Sequence, residues 1–212
     1  MKNNATNILT EYYEKTLSDF GANADGVGWG SPVKHQLRLD AFVHVIELDN
    51  IIKNGLIDVG CGYGEMLNII NKDKKLTYEK YLGIDSSNGM ILEAKKLYPN
   101  YKFKVVNYEN LTNSENLKNV ACCGVFTQKI DASNDDMYEL LSMFLKISKN
   151  LRVNSFTFNF MSPTCDEIKN HLFYPNLDII FNLISKYWDC NSLDYFISNS
   201  HLKYESLMHL KF

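Results

Sequence analysis

Apolar residues recur along this chain in two different rhythms. From residue 33 to about residue 53 they fall at helical spacing, with Leu37, Phe42, Val45, Ile46, Leu48 and Ile52 on one broad face. Ser31-Pro32 in front of them reads as an N-cap followed by proline at the first helical position, and Gly55 marks the stop. A shorter helix is expected before it, over about residues 6–19, joined by the loop GANADGVGWGSP. Beyond Gly55 short apolar runs alternate with helical segments. LIDV is a strand and YGEMLNIIN a helix. KYLGID is a strand, and NGMILEAKKLY is a helix that Ser86 or Ser87 caps and Pro99 ends. YKFKVV and the fully apolar VACCGVF are the third and fourth strands, DDMYELLSMFLKIS is a helix, SFTFNF is the fifth strand, and NLDIIFNLISKYW is a helix. LDYFIS and KYESLMHLKF close the chain as two strands with a turn at Asn199-Ser200. Tyr204, Ser206, Met208, Leu210 and Phe212 share one face of the last strand; an exposed strand from Lys203 to Lys211 could pair with a partner chain, while Lys203, Glu205 and Lys211 also protect such an edge.

This order predicts an α/β fold: a doubly wound, mostly parallel seven-stranded sheet with an antiparallel C-terminal strand pair. Residues 1–212 are read as one domain, with residues 1–53 a helical cap and 54–212 the α/β core. Ligands of such sheets sit at the carboxyl ends of the strands, so the loops after the first four strands are where chemistry is expected.

The first of those loops lies in LIDVGCGYGEML. Gly60, Gly62 and Gly64 permit positive φ and close approach of backbone to a ligand, and a helix begun near Tyr63 offers N–H groups to a carboxylate or phosphate. Three glycines also suit a purely structural tight turn. The spacing is G-x-G-x-G, not the dinucleotide G-x-G-x-x-G. Asp85 ends the second strand, where an acid accepts from both hydroxyls of a ribose; its bland role is to support a helix cap. Asn107 and Tyr108 end the third strand, where an adenine edge and face are met, although Asn107 also suits a plain turn. Asp58 stands two residues before the first glycine and repels a phosphate but suits a cation. S-adenosylmethionine (SAM), with its ammonium and sulfonium, fits this loop better than NAD.

Composition narrows the partners. The 212 residues are 45% hydrophobic and 22% charged, an ordinary globular mix. A net charge of −3 provides no basic field, which argues against nucleic acid; Lys72, Lys74 and Lys75 read as a solvated helix end. No apolar stretch approaches a membrane span, and the polar N-terminus lacks a signal-peptide core. The five cysteines show no metal-type spacing and read as reduced thiols of a cytoplasmic protein, with no metal site.

DVGCGYG, GIDSS and FKVVNYENL, taken in order, resemble the first three motifs of the class I SAM-dependent methyltransferases. CCGVFTQK is similar to the S-G-x-F pattern after the fourth strand in a small bacterial subgroup, and GWGSPVKHQLRLD is similar to its G-W-x-S…R-F segment. FTFNFMSP and HLFYPNLDIIF resemble that subgroup too, so the resemblance covers nearly the whole chain. It implies a Rossmann-like methyltransferase fold with SAM as cofactor and S-adenosylhomocysteine (SAH) as product. By the same resemblance Gly60, Cys61 and Gly62 line the methionine part, Asp58 lies near its amino group, and Asp85 takes the ribose with Ser86 beside it. Met90, Asn107 and Tyr108 meet the adenine, Cys123 and Gly124 sit under the sulfonium, and Trp29 and Arg38 close over the cofactor, Arg38 pairing with its carboxylate. Three departures are Asn107 in place of Asp, Cys123 in place of serine, and Leu39 in place of phenylalanine.

His35, near Arg38 on the pre-sheet helix, is the candidate general base, set against a reading as an exposed helix histidine. His171, His201 and His209 are further candidates, with His209 structural or edge-exposed. Tyr13, Phe126, Gln128, Phe160 and Tyr174 are candidates for the acceptor pocket, each also a plausible core residue. So little chain remains for an acceptor site that a small molecule is expected, an oxygen or nitrogen of a saccharide or natural-product intermediate. The protein is expected as a monomer or homodimer. An NAD-linked oxidoreductase and a methyltransferase-fold binding protein without turnover are the competing readings.

Overall fold

A computed structural model describes residues 3–72, 75–108, 111, 116–189 and 191–212, without the side chain of His201. Lys74 and the His201 imidazole lie outside the described residues. Three helices lead: α1 (Asn4–Phe20), α2 (Pro32–Ile46) and α3 (Leu48–Asn54). Then come β1 (Leu56–Val59), α4 (Glu65–Ile70), β2 (Tyr81–Asp85), α5 (Asn88–Leu97), β3 (Lys102–Val105) and β4 (Asn119–Phe126). The chain ends with α6 (Asn134–Asn150), β5 (Ser155–Met161), α7 (Leu177–Ser185), β6 (Asp194–Leu202) and β7 (Glu205–Lys211).

The strands form one seven-stranded sheet in the order β3-β2-β1-β4-β5-β7-β6. β1 pairs with both β2 and β4 in parallel, so the strand order reverses between β1 and β4, which places a crevice at their carboxyl ends. Two cores cover the two faces. Ile57, Val120, Phe156 and Met208 face α1, α6 and α7, while Leu56, Tyr81, Ala121 and Leu207 face α2 to α5. The period-two alternation of Leu56 with Ile57 is what sends neighbours to opposite faces.

Three boundaries differ from the sequence reading. The single helix expected over 33–53 is broken at Glu47, whose φ of 70° ends α2 and starts α3. Asn199-Ser200 is not the final turn. It lies within β6, where the pairing with β7 shifts register between Ser198 and Leu202 and the Ser198 hydroxyl accepts from the Ser200 amide; the chain reverses at Lys203-Tyr204. β7 is not an edge either, because it inserts antiparallel between β5 and β6. His209 is therefore interior, 3% exposed, and bonds Thr157 Oγ1 at 2.7 Å.

Candidate active site

The glycine loop is built by φ angles of 66° at Gly60, 54° at Gly62 and 90° at Gly64. Its amides point inward. Gly60 and Cys61 N–H donate to the Ile84 carbonyl at 2.8 and 3.1 Å, and Gly64 N–H to the Cys61 carbonyl at 2.9 Å. Gly62 N–H donates to Asp85 Oδ2 at 2.9 Å. α4 begins at Glu65, and that carboxylate borders the cleft. Four of the loop's amides are thus bonded within the protein, and Asp58, Asp85 and Glu65 make its surroundings acidic.

Asp85 is nearly buried, and the Ser87 amide donates to its Oδ1 at 2.8 Å. Burial pushes its carboxyl up to about 6, with the amides of Ser87, Gly62 and Ser86 opposing. Three amides act on a group with four acceptor directions, which leaves one for a ligand. Asp58 is 2% exposed and accepts from the Tyr81 hydroxyl at 2.6 Å. Burial drives its carboxyl to about 7; the Tyr81 bond opposes and the Asp85 charge assists. Among the described residues, no cation is among the groups that shift it.

The segment before the sheet closes this crevice. From α1, Thr10 Oγ1 bonds Ser86 Oγ at 2.6 Å, and Glu14 accepts from the Ser87 hydroxyl at 2.8 Å and the Gly89 amide at 3.1 Å. Val27 stands over Gly62, where a β-carbon would lie 3.3 Å from its Cγ1. The Trp29 indole lies on Gly124, whose φ is 89°; a β-carbon there would approach it to 2.6 Å. Gln128 Nε2 donates to the Gly28 carbonyl at 3.2 Å and fastens the same loop to the end of β4.

The resulting cleft, mouth included, encloses about 820 Å³, within the roughly 300–1,000 Å³ of small-ligand sites. Asp58, Gly60, Cys61, Gly62, Asp85 and Ser86 lie along its floor, Met90 and Tyr108 at one side, and Cys123, Gly124 and Trp29 at another. Tyr108 packs at a tilt on Phe144 with ring centroids 5.0 Å apart, and its hydroxyl lies near Ser86. Tyr13 and His35 also border the cleft.

Other expected residues lie elsewhere. Asn107 follows β3 outside the cleft wall. Arg38 is not among the cleft-lining residues and bonds Glu205, Nε to Oε2 at 2.6 Å; its Nη1 is buried without a hydrogen-bond partner. Phe126 and Phe160 are 0% and 1% exposed and belong to the core, packing against Phe158. Tyr174 borders a separate polar depression with Lys129 and Lys169, and His171 is exposed at its rim, its carbonyl bonded to the Lys129 and Ile130 amides. Sequence reasoning missed Tyr81, Glu14, Val27 and Glu205. A buried-strand tyrosine and an acid at helical spacing on α1 carry no local signal of a partner far along the chain.

His35 is 7% exposed, not a surface histidine. It stacks on Trp29 at 6.1 Å and meets the Tyr63 edge at 6.3 Å between centroids. Burial, then the Arg38 charge, lowers it to about 4. An imidazole that gives up its proton so readily is a weak base. In an NMR titration the His35 ring is expected to stay neutral from pH 8 to 5; a midpoint near 6.5 would show that the packing against Trp29 is wrong.

Residues 56–149 match the family described as methyltransferase domain. The matched residues are somewhat under half of the chain. Among solved structures, magnesium protoporphyrin IX methyltransferase (ChlM) from Synechocystis PCC 6803 with bound SAM is similar at a TM-score of 0.69 and 16% identity, over 98% of this chain and 97% of that one. A SAM-dependent methyltransferase from Clostridium acetobutylicum ATCC 824 superposes at 0.58 with 14% identity, over 99% of both chains. The methyltransferase domain of bacterial-CtHen1-C does so at 0.62 with 14% identity, over 84% of this chain and 98% of that one. At such identities the methyltransferase fold is what is shared. "Putative methyltransferase 235L" of Invertebrate iridescent virus 6 is 41% identical over 58 residues, 26% of this chain, and the match spans about a fifth (20%) of that protein. Among the described residues no helix is long and apolar enough to cross a membrane.

Proposed function

We propose that this methyltransferase domain uses SAM to methylate a small-molecule acceptor, at an oxygen or nitrogen of a saccharide or natural-product intermediate. The observation that carries the reading is the pair Asp58 and Asp85, two buried carboxylates at the ends of adjacent strands, flanking an acidic glycine loop with no cation among the described residues shifting Asp58. A buried carboxylate without a cation either stays protonated or receives a cationic ligand. SAM, when bound, supplies a methyl group already activated on a sulfonium, and the transfer is an in-line displacement. A pyrophosphate in the same place would face Asp58, Asp85 and Glu65, which disfavours NAD.

Asp58 holds the ammonium, and Gly60, Cys61 and Gly62 shape the channel for the methionine part. Asp85 accepts from the ribose hydroxyls, with Ser86 beside it. Met90 and Tyr108 would meet the adenine, with Asn107 near its edge. Cys123 and Gly124 form the floor under the methyl group. Residues 1–53 act as the cap, bringing Tyr13 and Trp29 to the acceptor side, where they exclude water and align the acceptor. Burial raises the Tyr13 hydroxyl well above its usual range, so it stays a neutral donor. His35 is too weak a base to ionise an alcohol, so an acceptor atom that is already nucleophilic suits the cleft best. The thiols of Cys61, Cys122, Cys123 and Cys165 are free, which supports a cytoplasmic setting.

The test is incubation with methyl-labelled SAM and two fractions of a cell extract, one of small molecules and one of protein and RNA. Label transferred to the small-molecule fraction supports the reading; label confined to the macromolecular fraction overturns the acceptor class.

A further inference from the structure

Beside the cleft, five residues from five parts of the chain close a circuit of contacts. Trp29, from the loop before α2, lies on Gly124 of β4. The Arg38 guanidinium, from α2, lies 3.7 Å from the centroid of the Trp29 ring. Arg38 Nε donates to Glu205 Oε2 at 2.6 Å, at the start of β7. Asn159 of β5 donates to the other oxygen, Glu205 Oε1, at 2.6 Å. Its own Oδ1 accepts from the Gly124 amide at 2.7 Å, which closes the circuit.

The Glu205 side chain is 3% exposed and Asn159 is fully buried. A carboxylate at that depth is costly unless both oxygens are engaged, as they are here. A helix or strand partner would serve stability equally well, but this carboxylate bonds two residues whose other contacts are Trp29 and Gly124. Those two are walls of the cleft, and Glu205 and Asn159 are not.

We propose that Glu205, together with Asn159, is a positioning residue of the cleft. Through Arg38 it holds Trp29 against Gly124, and through Asn159 it holds Gly124 itself. It thereby fixes the wall facing the methionine end of the cofactor without touching the ligand. This rests on the SAM reading above. The adenosine end, held by Asp85 on β2, is outside the circuit.

The test uses Glu205→Gln, which has nearly the same shape. It keeps an acceptor for Asn159 but turns a donor toward Arg38 Nε. Affinity for SAH is expected to fall about tenfold, the size of one lost charge-assisted hydrogen bond, while affinity for adenosine is unchanged. A general loosening of the fold would weaken both ligands alike, and equal losses overturn the proposal. A second reading needs no ligand. The chain has 2 tryptophans, so Trp188→Phe leaves Trp29 alone, and Glu205→Gln is expected to raise its quenching by acrylamide severalfold. Unchanged quenching overturns the proposal. If Glu205→Gln does not fold, Arg38→Met with Glu205→Gln removes both charges, and the same two readings apply with the same expectations. If the wild-type protein binds neither adenosine nor SAH, the SAM reading fails by itself, and Trp29 quenching still decides the circuit.

Discussion

Asp85→Ala is expected to weaken SAM binding by about 100-fold or more. Two losses combine. The variant removes the carboxylate that receives the ribose hydroxyls, and it removes the acceptor of the Gly62 and Ser87 amides, bonded at 2.9 and 2.8 Å. Each buried amide left unpaired costs ~1–3 kcal/mol, so the glycine loop relaxes away from β2 as well. Asp85→Asn separates the two effects. Its one carbonyl oxygen keeps a single amide, so it is expected to melt closer to wild type than Asp85→Ala while still binding SAM poorly. Calorimetric titration and thermal melts of both variants check this. Near-wild-type affinity in either variant would remove Asp85 from the site.

The second large effect is a dependence of cofactor affinity on pH. In the unfolded chain the Asp58 carboxyl titrates near 3.8, and in the fold near 7. Between those values the folded state binds more protons than the unfolded one, so stability falls as pH rises through the interval. A shift from 3.8 to about 7 sets the full loss at about 4 kcal/mol. Of the groups that act on Asp58, the Asp85 charge makes this worse and the Tyr81 hydroxyl makes it better; the thiols of Cys61, Cys122 and Cys123, themselves pushed well up, stay neutral. Ligand binding runs with the opposite sign. An ammonium needs the ionised carboxylate, so SAM affinity rises with pH up to about 7. Asp85, pushed up to about 6, adds a second step in the same direction. Affinity at pH 5.5 is therefore expected to be at least about tenfold weaker than at pH 8. Asp58→Asn is expected to lose the upper step, to bind weakly at every pH, and to be more stable than wild type at pH 8 without ligand. Urea unfolding and titration at both pH values check it; a flat affinity profile in the wild type would mean that Asp58 does not meet a cation.

Much of the sheet was legible because local pattern and tertiary structure agree there. VACCGVF is buried on both faces, and β4 spans those residues with both of its neighbours in place. The Ser31 cap, and a cap at Ser86 or Ser87 that the structure gives to Ser87, were legible for the same reason, since a cap is a contact within three residues. What was missed is long-range. Lys203-Tyr204 carries less turn chemistry than Asn199-Ser200, yet the register between Ser198 and Leu202 absorbs the latter into β6. Glu47 gives no local reason for φ of 70°; the demand comes from packing Ile51 of α3 and Phe42 of α2 into one core. In the candidate site, Asp58, Asp85, Gly60 and Gly62 were read from the loop pattern and motif order, and they do line one cleft. His35 borders the cleft and Arg38 lies behind its Trp29 wall, but their partners, Glu205, Trp29 and Tyr63, come from a far strand and two loops, which helical spacing does not encode.

The central claim is that the cleft between β1, β2 and β4 holds SAM. The most direct measurement is calorimetric titration of the purified protein with SAM and with SAH, with NAD as the control. One-to-one binding of both in the micromolar range, with no heat from NAD, is the predicted result. No binding of SAM or SAH by folded protein, or binding of NAD in their place, would contradict it.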